Sequence, residues 1–515
     1  MKNIICFIVI LIFHFSCVQQ PEKSEKWIEK ILLSEQDILM ATSININSLL
    51  NKSGLINNSQ ESIQKKILIN NFKSNFKSNL LGFNVDVPQK IFITSKKNNQ
   101  NGAIFWIGEI TSSFLFKETL KKYFDIEDIS DSKINSLYIK DFNLYVYFNE
   151  SNFIMGFSTE KEYVKSKLSS YFKEDYLVNS NSTISKFLVN SDDIGFYFSA
   201  KRINQLKNSL SNSLFNSQLT SLSKIDQFGN DFFAKLNFLN QKVSFDFTTS
   251  SPNQYYYNDN GVEAQFKKFI INNIKTVSFG FINFKLNQEK NLFTYSSFLD
   301  DYNDFLFFKL LNDQQLFSSL TGEMSFAVSD LTPIQTNINS DSILEDDFWE
   351  DDFDEPEISI NKELPPVLIS LGIKDTTVLI TQLKKINTEF ITNEPFLIND
   401  SYLLLFNNIL HISNEKQLLS NIFSSKEVNN PPVINSQFFQ NPLYAEIDLK
   451  LISNFLESNN LDQLSINQLD LFDKIVITGN NTNFSIKTEL NTKNENSLKS
   501  IVDLILKNKL LETYL

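Results

Sequence analysis

Cysteine and histidine are nearly absent from this chain. Both cysteines, Cys6 and Cys17, fall in its first 17 residues, and one of its two histidines is His14. A chain relieved of that leader would hold no thiol, no disulfide and one imidazole, His411. Thiol nucleophiles are then excluded, as are zinc sites built from several His or Cys ligands within one chain. Glycine (12) and proline (11) are scarce in 515 residues, so Asn, Asp and Ser must supply most turns through local side-chain hydrogen bonds. The spaced glycines of a phosphate-cradling loop are missing as well. Gly102 and Gly108 enclose Ile104-Phe-Trp-Ile107, which reads as a strand. Long apolar runs are lacking too. The most continuous one, Ile4 to Phe15, falls short of the roughly 20 residues that span a bilayer.

That short run has another use. Lys2 precedes it, Phe15-Ser16-Cys17 ends it, and a polar stretch from Gln19 to Lys26 follows. A charged n-region, a short apolar core and a small residue before cysteine match a lipoprotein signal peptide over residues 1–16. Cys17 is then the lipid-attachment residue, although His14 stands where leucine is usual. Residues 17–35 read as a polar tether, and everything beyond is expected to be exported, in the cell envelope and at the outer membrane.

The formal charge is −13, or −14 without Lys2. Ten acids and no base lie between Asp341 and Glu357, and subtracting them leaves about −4. The body is thus close to neutral with one intensely acidic segment, which argues against nucleic acid as a partner. The segment holds Phe348, Trp349 and Phe353 among its acids. It reads in three ways: a loose Ca²⁺ collector without EF-hand spacing, a protein-docking motif anchored by those aromatics, or a solvated loop.

An internal repeat organises the rest. Leu144-Tyr-Val-Tyr-Phe148 and Phe153-Ile-Met-Gly-Phe-Ser-Thr-Glu-Lys161 correspond to Tyr402-Leu-Leu-Leu-Phe406 and Ile409-Leu-His-Ile-Ser-Asn-Glu-Lys416. Each copy predicts strand, turn, strand and helix, with His411 at the station of Gly156. Thr159 with Glu162, and Asn414 with Gln417, have capping-box spacing. The following helices carry Val164, Leu168 and Phe172, or Leu418, Leu419, Ile422 and Phe423, at helical period. Matching strands recur in order. Ala103–Gly108 pairs with Val367–Gly372, Lys90–Thr94 with Glu323–Val328, and Thr42–Ile46 with Val277–Phe281. Ile194–Phe198 pairs with Leu443–Ile447 and Val243–Phe247 with Phe484–Thr488, before closing helices at Phe266–Ile274 and Leu498–Ile505. The expectation is an α+β fold of two tandem units, 36–274 and 275–515, each an antiparallel sheet with packed helices. The acidic segment becomes an insertion at 332–364 into the hairpin whose first-unit turn is Lys97–Gly102.

Several segments resemble a known family. Ser43-Ile-Asn-Ile-Asn-Ser-Leu-Leu-Asn-Lys-Ser-Gly-Leu55, Leu81-Gly-Phe-Asn-Val-Asp-Val-Pro88 and Leu320-Thr-Gly-Glu323, behind the Ser-Cys leader, are similar to the uncharacterised Bacteroidota lipoproteins of about this length, a domain of unknown function. That resemblance implies location and architecture and brings no cofactor or catalytic residue. His411, inside a strand, reads as a sheet-face histidine. The expected function is a non-enzymatic envelope lipoprotein, a binding or scaffold module held to the membrane by its lipid. The alternative is a carboxylate-dependent hydrolase of envelope glycans, because two acids suffice for that chemistry.

Overall fold

A computed structural model describes residues 25–34, 38–54, 82–96, 99–129, 134–158, 160–172, 192–206, 230–249, 276–283, 319–329, 366–386, 388–392, 394–398, 401–424, 441–450, 469–492 and 495–507, with Ile184, Leu188, Ile452 and Ser453. Eight α-helices and 20 strands lie among them, every described pairing is antiparallel, and the fold is α+β. The chain packs as two compact units, Met1–Tyr255 with Gly479–Leu515, and Tyr256–Thr478. The repeat divides the sequence at 274/275, whereas the compact units assign the last described strand and helix to the first.

In unit 1 the helices are α1 (Glu25–Ser34), α2 (Ile46–Lys52), α3 (Ser113–Tyr123), α4 (Lys161–Tyr171) and α5 (Ala200–Leu206). Its strands are β1 (Ile38–Ile44), β2 (Phe83–Asn84), β3 (Gln89–Lys96), β4 (Asn99–Ile110), β5 (Ile126–Ile129), β6 (Asn135–Ile139), β7 (Leu144–Phe148), β8 (Asn152–Phe157), β9 (Ile194–Ser199), β10 (Asp231–Leu239) and β11 (Lys242–Thr249). They hydrogen-bond in the order β5-β6-β7-β8-β4-β3-β1-β9-β10-β11, with β2 beside the end of β4. Beyond β11 the ladder continues into β20 (Asn483–Leu490), which is followed by the last described helix, α8 (Ser497–Lys507). α8 packs on α2, β10 and β11.

Unit 2 holds β12 (Thr276–Asn283), β13 (Leu320–Ser329), β14 (Val367–Ile373), β15 (Phe396–Ile398), β16 (Ser401–Phe406), β17 (Ile409–Ser413), β18 (Leu443–Asp448) and most of β19 (Phe472–Gly479), with helices α6 (Thr376–Ile386) and α7 (Lys416–Ser424). The order there is β15-β16-β17-β14-β13-β12-β18. β13 and β14 are paired neighbours, and the acidic insertion between them lies outside the described residues. So does the helix expected at Phe266–Ile274. The turn expected at Lys97–Gly102 is described only from Asn99 onward, where β4 begins.

The strands at the centre of each sheet are apolar on both faces because helices cover both. In unit 1, Leu144, Val146, Phe153 and Met155 meet Phe116 and Leu120 of α3, while Tyr145, Tyr147 and Ile154 meet α1 and α4 on the other side. In unit 2, Leu379 and Leu383 of α6 cover Leu403, Leu405, Leu410 and Ile412. Leu418, Leu419 and Ile422 of α7 cover Leu404 and Ile409. Burying each such side chain is worth about 1.5–3 kcal/mol, so alternation by residue feeds two cores from one strand. Phe423, expected on the buried face of α7, is 47% exposed and leans on Phe406 at its edge.

Asparagine and serine do supply turns. Asn407 and Asn408 both take positive φ, as the two-residue hairpin between β16 and β17 requires. Asn149 and Asn480 each accept two backbone N–H groups with one carboxamide oxygen. Serine hydroxyls bond the backbone at the starts of both α4 and α7. Thr159 lies outside the described residues; α4 has Glu160 at its N-cap, whose side chain makes no cap bond, and Ser158 Oγ accepts from Glu160 N at 3.2 Å. At α7, Ser413 Oγ accepts from Glu415 N at 3.0 Å, and Asn414 Oδ1 accepts from Val367 N.

Candidate functional site

Two buried polar constellations stand out among the described residues. The first surrounds Asp193, at the entry to β9. Strand β1 ends at Ile44, and Asn45 then caps α2 by accepting from Ser48 N with its side chain. One turn of helix brings Ser48 and Lys52 to the same side. Asp193 is 1% exposed and accepts from Ser48 Oγ at 2.6 Å, from Lys52 Nζ at 2.7 Å through both oxygens, and from Phe238 N of β10 at 2.7 Å. Its backbone is tied as well: Asp193 O accepts from Asn45 N, and Asp193 N donates to Asn237 Oδ1. Asn237 in turn donates to Asp192. Every oxygen of Asp193 is thus committed to holding α2, β9 and β10 together. Gly54, in the left-handed region at φ +71°, lets the chain leave α2. The segment Asn45–Gly54, distinctive in the sequence, therefore encodes a capped, charge-latched helix. Its acidic partner, 141 residues from Lys52, is beyond the reach of any local motif.

The second constellation is the pair Ser370 and His411. They stand opposite each other on β14 and β17, and Leu404 of β16 flanks His411 on its other side. Ser370 Oγ lies 2.8 Å from His411 Nδ1. His411 is fully buried, and burial pushes its imidazole down to about 3. A general base must reach both a solvent-borne substrate and its proton; a neutral ring sealed between strands does neither.

Tyr197 of β9 gives a third buried polar contact, donating to Asp231 Oδ1 at 2.9 Å; burial and that carboxylate raise its phenol. No group of three or more His, Cys, Asp or Glu among the described residues is placed to hold a metal ion. No described helix is long and apolar enough to cross a membrane. Cys17, Phe348, Trp349 and Phe353, the residues singled out for lipid attachment and partner binding, lie outside the described residues.

The sequence matches no family model. It likewise matches no curated protein. Among solved structures, the chain is similar to three crystal forms of TP0453. Form IV aligns with TM-score 0.27 and 9% identity over 43% of this chain and 82% of that one. Form III gives 0.25, 9%, 44% and 80%, and form I gives 0.24, 8%, 46% and 82%.

Proposed function

We propose that the protein is a non-enzymatic lipoprotein of the cell envelope, a binding or scaffold module made of two copies of one α+β unit. The copies are supported by strand order. β6-β7-β8-β4-β3-β1-β9 in unit 1 and β15-β16-β17-β14-β13-β12-β18 in unit 2 run through the same sequence of connections. Helix faces also agree: α4 and α7 follow equivalent hairpins and cover the face that carries Tyr145 or Leu404.

The observation that carries the non-enzymatic reading is what occupies the station of His411. In unit 1 the ladder places Phe105 opposite Gly156 and Tyr145 beside it. In unit 2 Ser370 is opposite His411 and Leu404 is beside it. A Cβ at Gly156 would already meet Phe105 Cδ1 at 3.1 Å and Val164 Cγ1 at 2.7 Å. Large-against-small in one copy is small-against-large in the other, so the imidazole fills volume that a phenyl ring fills in its counterpart. On this two-copy reading, two correspondences move by one residue. Ser370 corresponds to Phe105, not Trp106, and Leu403 to Leu144, because a slip of one residue moves a side chain to the opposite face.

Anchorage and partner binding are tested together in the native envelope. Cys17→Ser is expected to move the protein from the membrane pellet to the soluble fraction, since the diacyl chains supply the anchoring energy. A variant that stays in the pellet after a carbonate wash would sink the lipid assignment. Deleting Asp341–Glu357 is expected to remove specific crosslinked proteins from a pull-down of the anchored chain. An unchanged set of partners would overturn the reading of Phe348, Trp349 and Phe353 as a docking motif.

A further inference from the structure

Strand β20 pairs with β11, more than 230 residues earlier in the chain. The ladder with β11 sets Lys242 opposite Glu489, Val243 opposite Thr488, Ser244 opposite Lys487, Phe245 opposite Ile486, Asp246 opposite Ser485 and Phe247 opposite Phe484. β11 and β20 are the counterparts Val243–Phe247 and Phe484–Thr488 of the internal repeat, and in that correspondence Phe245 faces its own equivalent, Ile486. The flanking bonds obey the same symmetry: Thr249 N donates to Thr482 O at 2.9 Å, and Leu490 N donates to Gln241 O at 2.8 Å. A local two-fold axis thus passes between Phe245 and Ile486. This is the self-complementary geometry by which two identical protomers meet, here within one chain.

Two more observations bear on what that seam can accept. The boundary between compact units falls at Thr478/Gly479, so β20 and α8 both belong to unit 1 with β11, although the repeat counts them with the second copy. The seam is also held by transferable contacts: the backbone ladder, Ser485 Oγ donating to Asp246 Oδ1 at 2.6 Å, Asn496 Nδ2 donating to Phe238 O at 3.0 Å, and α8 against α2, β10 and β11. A second molecule presents the same donors and acceptors.

We infer that the β11 seam is a self-association surface whose intermolecular occupant is the β20–α8 segment of a second copy of this chain, giving a reciprocal strand-exchanged dimer. The incoming β20 takes the place of the resident one, so its ladder with β11 and the α8 contacts re-form between molecules. Only the turn Asn480–Thr482 must change, where Asn480 Oδ1 holds Thr482 N and Asn483 N. The intramolecular form wins in dilute solution because a tethered segment has an effective concentration of about a millimolar. The inference rests on the two-copy reading above for the equivalence of β11 and β20, and its test is independent of anchorage and of partner binding.

The test uses the chain without residues 1–17, which has no cysteine. Val243→Cys and Thr488→Cys are made in separate, differently tagged chains. The two are mixed at about millimolar concentration, warmed through partial opening, cooled, diluted and oxidised. Opposed strand positions lie about 4.5–5.5 Å apart at Cα, within disulfide range. The expected product is a mixed disulfide dimer, about tenfold more abundant than after mixing in dilute solution, as mass action on an exchanged segment requires. Single-variant melting curves that match the parent establish that both chains fold. Monomer alone at every concentration overturns the inference. So does an equally strong disulfide from Phe245→Cys by itself, which would mean that β11 pairs with β11 instead. Deleting Asn481 and Thr482, which leaves the turn too short to fold back, is expected to make the dimer the main species on a sizing column; a monomer there would count against exchange.

Discussion

Asp193→Ala should lower the stability of unit 1 by about 2–4 kcal/mol, because one carboxylate satisfies two neutral donors as well as Lys52. The loss has separate sources. Lys52 is partly exposed and can turn its ammonium to water, so the broken pair is not the main cost. Phe238 N and Ser48 Oγ lose the carboxylate that accepts from both, and each donor left unsatisfied costs about 1–3 kcal/mol. Lys52→Met is the informative companion. It leaves the Asp193 carboxylate buried with neutral donors only, and about 3 kcal/mol is expected from that unpaired charge. Urea unfolding followed by Trp27 and Trp106, both in unit 1, reports on the affected part of the chain. A shift below about 1 kcal/mol for both variants, as a surface pair would give, removes the latch from the account of the fold.

The Ser370–His411 pair makes the protein acid-sensitive in a defined window. In the native state burial holds the imidazole at about 3, against 6.5 in an unfolded chain. Between those values the unfolded chain binds the proton and the native chain does not, so stability rises with pH. The contribution is complete above pH 6.5 and falls away on acidification toward 3, by about 1.4 kcal/mol per pH unit inside the window. From pH 6.5 to 5 this one group should remove about 2 kcal/mol from unit 2. Carboxylates titrate in the lower part of the same range, so the comparison must be with a variant. Ser370→Phe with His411→Gly installs the pair found at Phe105 and Gly156. Ser370→Phe alone overpacks the sheet face against His411 and should cost about 1–3 kcal/mol. The double variant should recover part of that loss, with a coupling of at least about 1 kcal/mol, and should lack the histidine part of the pH slope. Additive single effects would show that the two stations are not volume counterparts. An unchanged slope would show that His411 is not the titrating group.

Much of this is legible residue by residue. The apolar runs Leu144–Phe148 and Tyr402–Phe406 mark strands, and the Asn-rich turn between β16 and β17 is readable because only a few residue types tolerate positive φ there. The face of α7 is legible through Leu418, Leu419 and Ile422 but not at Phe423, which sits at the margin of the stripe where neighbours decide burial. Asn414 Oδ1 accepts from Val367 N, 47 residues away, a bond that capping-box spacing does not register. Asp193 is invisible as a site. An Asp-Asp dipeptide before a strand carries no information about a helix that ended at Lys52.

Residue order is enough to establish the scarcity of thiols and imidazoles, the strands, the helices between them and the succession of those elements in both halves. These are local properties: each follows from a residue's own backbone preference and from which of two faces it presents. Strand adjacency is another matter. That Ser370 meets His411, that Asp193 locks α2, and that β20 joins the sheet that holds β1 are outcomes of packing across the whole unit. A strand's apolar pattern specifies its faces but says nothing about its edges, because backbone N–H and C=O groups are the same at every residue; the partner at an edge is chosen by the packing of everything else.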